Sequence, residues 1–228
     1  MGFLKHFFHN VFREETAPME PDAYDRIPRI EMESHLSVAR YASFTLTDAI
    51  RPSFDLNVVP EEGYRFDHYR DEASRVSIPV LMGSVSKERL FEAFLDLLEP
   101  LGPTVDVVLE SSHGRNMRGH DDLYREQIDT PVLKSFLYDY EDLLLNDGCT
   151  GIAILDPETP MEVQFDEHKL LIVYAEHPAP FESIFAEHGV PRKERLRFLT
   201  ETEHIHSSRA HHADAFRSLC TTLGIDAD

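Results

Sequence analysis

The sequence predicts an α+β protein in which helices pack on a mixed β-sheet. From residue 76 onward, short apolar runs typical of strands alternate with segments of helical periodicity. Three further apolar runs between residues 151 and 175 follow one another at hairpin spacing. The 228 residues are 42% hydrophobic, which is enough apolar material for a sizeable core. We expect the order β-α-β-α-β-β-β-α-β-α after an irregular N-terminal region. The helices would lie on one face of the sheet, as in ferredoxin-like folds, or on both faces as a three-layer variant.

The first 13 residues predict an amphipathic N-terminal arm. Apolar side chains recur at the i, i+3, i+4, i+7 and i+8 spacing of one helix face, and these are Leu4, Phe7, Phe8, Val11 and Phe12. Residues 14–29 then form an acidic, proline-rich linker, and residues 30–228 form a single α+β domain. Such an arm can dock on its own domain or on a sister chain, bind a groove on a partner, or lie on a membrane surface. We favour docking, because Glu14 and Glu15 follow the arm directly and basic residues are few.

The strand–helix–strand pattern begins with a strand over residues 76–82. Ser86 then starts a helix that Pro100 ends, and a second strand covers residues 105–109. After a polar loop, Thr130 and Pro131 open a helix that ends at residues 146–148. Residues 30–75 predict little beyond an alternation of aromatic and charged residues near residues 64–70.

The meander consists of strands over residues 151–155, 161–165 and 170–175. Residues 156–160 and the triplet Asp166, Glu167 and His168 supply its turns. A short helix near residues 181–185, a strand over residues 196–200 and a last helix closed by Gly224 complete the order.

The charge and the cysteines narrow the class of protein. With 42 acidic and 22 basic residues the formal net charge is −20, which disfavours nucleic-acid binding because that depends on cations that neutralise phosphates. No apolar run reaches the roughly 20 residues that cross a bilayer. Neither a secretory signal nor a zinc pattern around Cys149 or Cys220 is visible. We therefore expect a cytoplasmic protein with both thiols free.

The loop over residues 111–122 is the first candidate site. It follows a predicted strand, where open α/β sheets place their ligands, and it combines two His, two Arg, two Gly and two Asp residues. Arg115 and Arg118 can bind a carboxylate or a phosphate through paired hydrogen bonds. The alternative is a surface loop whose arginines pair with neighbouring aspartates.

The second candidate site is the pair His204 and His206. If the strand from residue 196 continues, both side chains point to the same face and can chelate zinc or another divalent ion. The predicted third ligand is His113, His120 or Asp121 of the 111–122 loop. Such a centre with an open position would activate water for hydrolysis.

Three hypotheses for function follow. The first is a non-enzymatic interaction or regulatory module that self-associates as a homo-oligomer, or binds a protein partner, through its arm. This hypothesis rests on two observations. The sequence contains no recognisable set of catalytic residues, and the predicted arm has an apolar face that would otherwise be exposed to water. The alternative is a small metal-dependent hydrolase built from His204, His206 and the loop over residues 111–122. The third is a binder of small anions that uses Arg115 and Arg118.

Overall fold

The computed structural model describes residues 28–70, 77–113 and 121–225. The chain forms two compact units, Met1–Ala39 and Arg40–Asp228. The described part of the first unit contains helix α1 (Arg29–Ser37), which has no buried residue. The predicted arm, with Leu4, Phe7, Phe8, Val11 and Phe12, lies outside the described residues, as do Arg115, Arg118 and His120.

The second unit combines eleven described strands with five described helices. The strands are β1 (Arg40–Tyr41), β2 (Phe44–Thr45), β3 (Ile50–Pro52), β4 (Gly63–Arg70), β5 (Ser77–Ser84), β6 (Thr104–Ser111), β7 (Asp121–Asp129), β8 (Thr150–Leu155), β9 (Glu162–Phe165), β10 (Leu171–Tyr174) and β11 (His204–His206). The helices are α2 (Lys87–Leu97), α3 (Thr130–Tyr138), α4 (Glu141–Asn146), α5 (Ala179–Glu187) and α6 (Ala210–Leu223). Short 3-10 turns cover Glu99–Leu101 and Leu199–Glu201. This architecture confirms the predicted α+β class.

Seven strands form the central sheet in the order β4-β5-β10-β9-β8-β6-β7. Every neighbouring pair in it is antiparallel, whereas a mixed sheet was expected. The helix between β5 and β6 does connect two strands that run in the same direction. They are not neighbours, however, because the meander β8–β9–β10 lies between them.

Three local predictions differ from the structure. The polar loop after β6 contains the edge strand β7, which is mostly exposed and therefore lacks an apolar pattern. The strand predicted over residues 196–200 is wrong. Among the described residues, its backbone pairs with no strand. Arg65 donates to the Leu196 carbonyl, Glu201 accepts from the Phe198 amide, and the Leu196 amide donates to the nearby Lys193 carbonyl. The helix predicted over residues 130–146 is divided in two at Tyr140, whose φ of −118° is not helical.

The apolar core lies on one face of the sheet. All five helices of the second unit contribute residues to the same buried cluster, as do alternate positions of strands β6, β8, β9 and β10. Phe94 of α2 packs against Phe165 of β9, with ring centroids 5.1 Å apart. Among the described residues, the helices therefore follow the one-faced arrangement rather than the three-layer variant. The intervening strand positions, such as Glu162 and Gln164, point to the opposite face.

The two-stranded sheet of β3 and β11 lies at one end of the central sheet. This end is formed by residues 111–113 after β6, residues 147–150 at the start of β8, and residues 166–169 between β9 and β10. The Gly148 amide donates to the Ser207 carbonyl at 2.8 Å, and the Ser207 amide donates to the Ala49 carbonyl at 2.8 Å. These bonds attach the β3–β11 pair to the start of β8. We refer to residues 111–113, 147–150 and 166–169 as the sheet end.

Candidate metal centre

His204 and His206 lie on the same face of β11, as the sequence predicts. The strand pairs antiparallel with β3, so that His204 lies opposite Pro52 and His206 opposite Ile50. Their side chains alternate with that of Ile205 between them. The two Nε2 atoms approach each other to 3.0 Å. The strand is shorter than expected, but it brings the two imidazoles together.

The hydrogen bonds of these two rings fix their tautomers. Nδ1 of His204 lies 2.7 Å from the Thr202 carbonyl oxygen, and Nδ1 of His206 lies 2.8 Å from the Gly148 carbonyl oxygen. A carbonyl only accepts, so each Nδ1 carries the ring proton and donates it. In the neutral rings, both Nε2 atoms are then acceptors whose lone pairs face each other across 3.0 Å. A cation bound between them removes the repulsion between these lone pairs.

His168 is the third member of the centre. It lies on the turn between β9 and β10, and its ring centroid is 4.9 Å from that of His204 and 4.7 Å from that of His206. One ligand atom from each of the three histidines lies within 4.8 Å of the other two. We call His168, His204 and His206 the three-histidine centre. The sequence predicts this turn but does not predict His168 as a ligand.

The turn that carries His168 is buried, although turns usually lie at the surface. The exposed fractions of Asp166, Glu167, His168 and Lys169 are 5, 8, 9 and 5%. Asp166 holds the turn, because its Oδ1 accepts the Leu170 amide at 2.7 Å and its Oδ2 lies 3.0 Å from Nδ1 of His168. A carboxylate on the far nitrogen of a metal-binding histidine orients the ring and raises its basicity.

The electrostatic surroundings favour a neutral, ligating His206. Loss of hydration around its ring, together with the neighbouring His168, lowers the pKa of His206 to about 4. The residue nevertheless keeps an exposed side. A neutral imidazole presents its lone pair to a cation without first releasing a proton. The centre therefore combines a buried wall at His168 with a face that is open to solvent at His206.

The loop residues predicted as further ligands lie elsewhere. His113 belongs to a second group, in which its Nε2 lies 2.7 Å from Oδ2 of Asp147 and which also includes Cys149. Asp121 begins β7, where its backbone pairs with Ser111. His120 lies outside the described residues.

A third group lies at the surface, where Asp142 is 3.3 Å from His211 and 3.5 Å from His212. It contains one fully buried histidine, His212, and two exposed side chains. Exposed ion pairs of this kind contribute little to stability.

Comparison with known proteins gives no match. No family model fits the sequence, and no curated protein and no solved structure is significantly similar to it. Among the described helices, none has the length and apolar character needed to cross a membrane.

Proposed function

We propose that the three-histidine centre binds a zinc ion and that the protein is a metal-dependent hydrolase. The observation that carries this proposal is the pair of Nε2 atoms that face each other at 3.0 Å while both Nδ1 protons are donated to carbonyls. Three neutral imidazoles are an established ligand set for catalytic zinc. Because they add no charge, the ion keeps its full charge for polarising a bound water.

The chemistry expected here is hydrolysis. With three protein ligands, a zinc ion keeps a fourth position for water and lowers the pKa of that water to about 7. Asp166 orients His168, and Glu167 supplies a second carboxyl group, with its Oε1 3.7 Å from Nδ1 of His168.

The space around the centre indicates the direction of substrate approach. His168, Lys169 and Leu170 line a cavity of about 30 Å³. We expect a substrate to approach from the solvent side, where His206 is exposed.

Zinc titration of the metal-free protein tests the centre. Because Cys149 belongs to the second group of potential ligands, the titration uses a Cys149→Ser background. We expect one zinc ion per chain, lost in His204→Ala/His206→Ala and retained in His211→Ala, which removes an exposed histidine of the third group. Hydrolysis of an activated ester should depend on zinc and fall in the double variant. Equal zinc binding by the double variant and its parent would refute the centre, and zinc binding without any zinc-dependent hydrolysis would refute the hydrolase.

A further inference from the structure

A second group of chemically reactive side chains surrounds Asp147 at the sheet end. His113 Nε2 lies 2.7 Å from Asp147 Oδ2, and the Thr150 hydroxyl donates to the same oxygen at 2.5 Å. One ligand atom from each of His113, Asp147 and Cys149 lies within 4.8 Å of the other two. None of these residues belongs to the three-histidine centre.

Asp147 is fully buried, and one of its oxygens lacks a hydrogen bond. Within the described part of the chain, Oδ1 has no hydrogen-bond partner and faces Nδ1 of His212 at 3.4 Å. That nitrogen accepts the Arg209 amide at 3.2 Å, so it carries no proton in the neutral ring. Two acceptors therefore face each other in a buried region, which is costly unless a cation lies nearby.

The two oxygens of the Asp147 carboxyl group differ in their surroundings. Oδ2 contacts His113 and the Thr150 hydroxyl, whereas Oδ1 has no hydrogen-bond partner among the described residues. A buried carboxylate is costly unless cations or hydrogen-bond donors compensate it.

We propose that His113, Asp147 and Cys149 form a second metal site, which takes a thiophilic divalent ion such as zinc. Imidazole, carboxylate and thiolate are all zinc ligands, with bonds of about 2.0–2.3 Å that place ligand atoms roughly 3–4 Å apart. From their present limit of 4.8 Å, the most distant ligand atoms need to close by about 1–2 Å. Cys149 is only half-buried, so an ion can reach its sulfur.

Gly148 contacts both this site and the three-histidine centre. Asp147 and Cys149 flank this glycine, whose carbonyl oxygen accepts from Nδ1 of His206 at 2.8 Å. The donor sets share no residue, so each site can be removed without deleting a ligand of the other.

Cobalt titration separates the two sites, because only a thiolate ligand gives an intense sulfur-to-cobalt charge-transfer band in the near ultraviolet. The reduced, metal-free protein should show this band on addition of Co²⁺ and should bind two ions per chain. His204→Ala/His206→Ala should keep the band and bind one ion. Cys149→Ser should lose the band but still bind one ion, although the buried thiol of Cys220 remains. No band at saturating cobalt, or a band that persists in Cys149→Ser, would overturn the proposal.

Alkylation of Cys149 in the wild-type chain gives a second readout, in which the thiol itself is unaltered. Iodoacetamide forms a carbon–sulfur bond with the Cys149 thiolate and releases iodide. At zinc concentrations of about 100 times Kd, the rate should fall by about 100-fold as free sites disappear. An alkylation rate that is the same with and without zinc would show that Cys149 is not a ligand. Asp147→Asn should abolish the protection, while His204→Ala/His206→Ala should leave it intact.

Discussion

Replacement of Gly148 by alanine tests the geometry on which both proposed metal sites depend. A Cβ atom at this position would lie 2.5 Å from the Ala49 carbonyl oxygen, 2.9 Å from the Ser207 carbonyl oxygen and 3.0 Å from the Ser207 nitrogen. All three are backbone atoms, so no side-chain rotation relieves the overlap. The alanine can be accommodated only if the β3–β11 pair moves away from the start of β8.

The expected loss of stability follows from these contacts. Overpacking in a well-packed region costs about 1–3 kcal/mol. The movement also lengthens the 2.8 Å bond between the Gly148 amide and the Ser207 carbonyl, and such a bond contributes about 1 kcal/mol. We therefore expect Gly148→Ala to lower the free energy of unfolding by about 2–4 kcal/mol. Because the shift carries His206 away from His168, zinc affinity at the three-histidine centre should also fall.

Urea unfolding of the metal-free protein, followed by zinc titration, measures both effects. Gly151→Ala is the matched control, because it lies three residues away and its Cβ would meet the Glu110 side-chain oxygen at 3.0 Å rather than a backbone atom. The control should lose less stability and keep its zinc affinity. If the two variants proved equally stable and bound zinc equally well, the inference that Gly148 sets the spacing of β11 would be refuted.

Two further predictions concern the opposite face of the sheet and the arm. Loss of hydration raises the pKa of Glu162 from 4.5 to about 8. The native state therefore keeps this proton at pH values where the unfolded chain releases it. As a result, the free energy of unfolding falls by up to about 1.4 kcal/mol per pH unit between about pH 4.5 and 8. Glu162→Gln should flatten this slope in urea unfolding at pH 5 and pH 8, and parallel curves for variant and parent would contradict the assignment. Deletion of residues 1–13 should lower the oligomeric state in light scattering without changing zinc content if the arm mediates self-association, and an unchanged mass would count against that role.

The elements that the sequence predicted correctly are those with a strong apolar period. α2 carries its buried side chains at helical spacing, and the strands β8, β9 and β10 are buried at every position and lie in short apolar runs bounded by turns, so these patterns are visible without tertiary information. Strand β7 is not visible in this way, because an edge strand with mostly exposed residues has no apolar face to show. The segment over residues 196–200 shows the opposite case, an alternating apolar pattern that does not form a strand. Leu196 and Phe198 are buried alternately with Arg197, but their backbone groups bond to Arg65, Lys193 and Glu201 rather than to a neighbouring strand.

The candidate site was predictable only in part, for a similar reason. The alternation of side chains along a strand places His204 and His206 together from local sequence alone. His168 joins them because the β9–β10 turn and β11 meet at the sheet end, and nothing in the sequence near residue 168 reports that contact. The same topology places His113 beside Asp147 instead, because β6 ends next to the start of β8.

The distribution of buried charge at the sheet end explains why specific cations are expected there. The carboxyl groups of Asp147, Asp166 and Glu167 are buried together with a single ammonium group, that of Lys169. Burial lowers the pKa of Lys169 to about 8 even though all three carboxyl groups oppose this shift, so even this positive charge is weakly held.

Divalent ions at the two proposed sites would supply the missing positive charge. Because they would bind only the folded chain, each ion would add about 2.7 kcal/mol to the free energy of unfolding at 100 times its Kd. Monovalent salt screens surface charge but cannot take these ligand positions. Zinc should therefore raise the melting temperature where an equal ionic strength of potassium chloride does not, and an equal effect of both would show that the buried carboxyl groups are balanced without a metal.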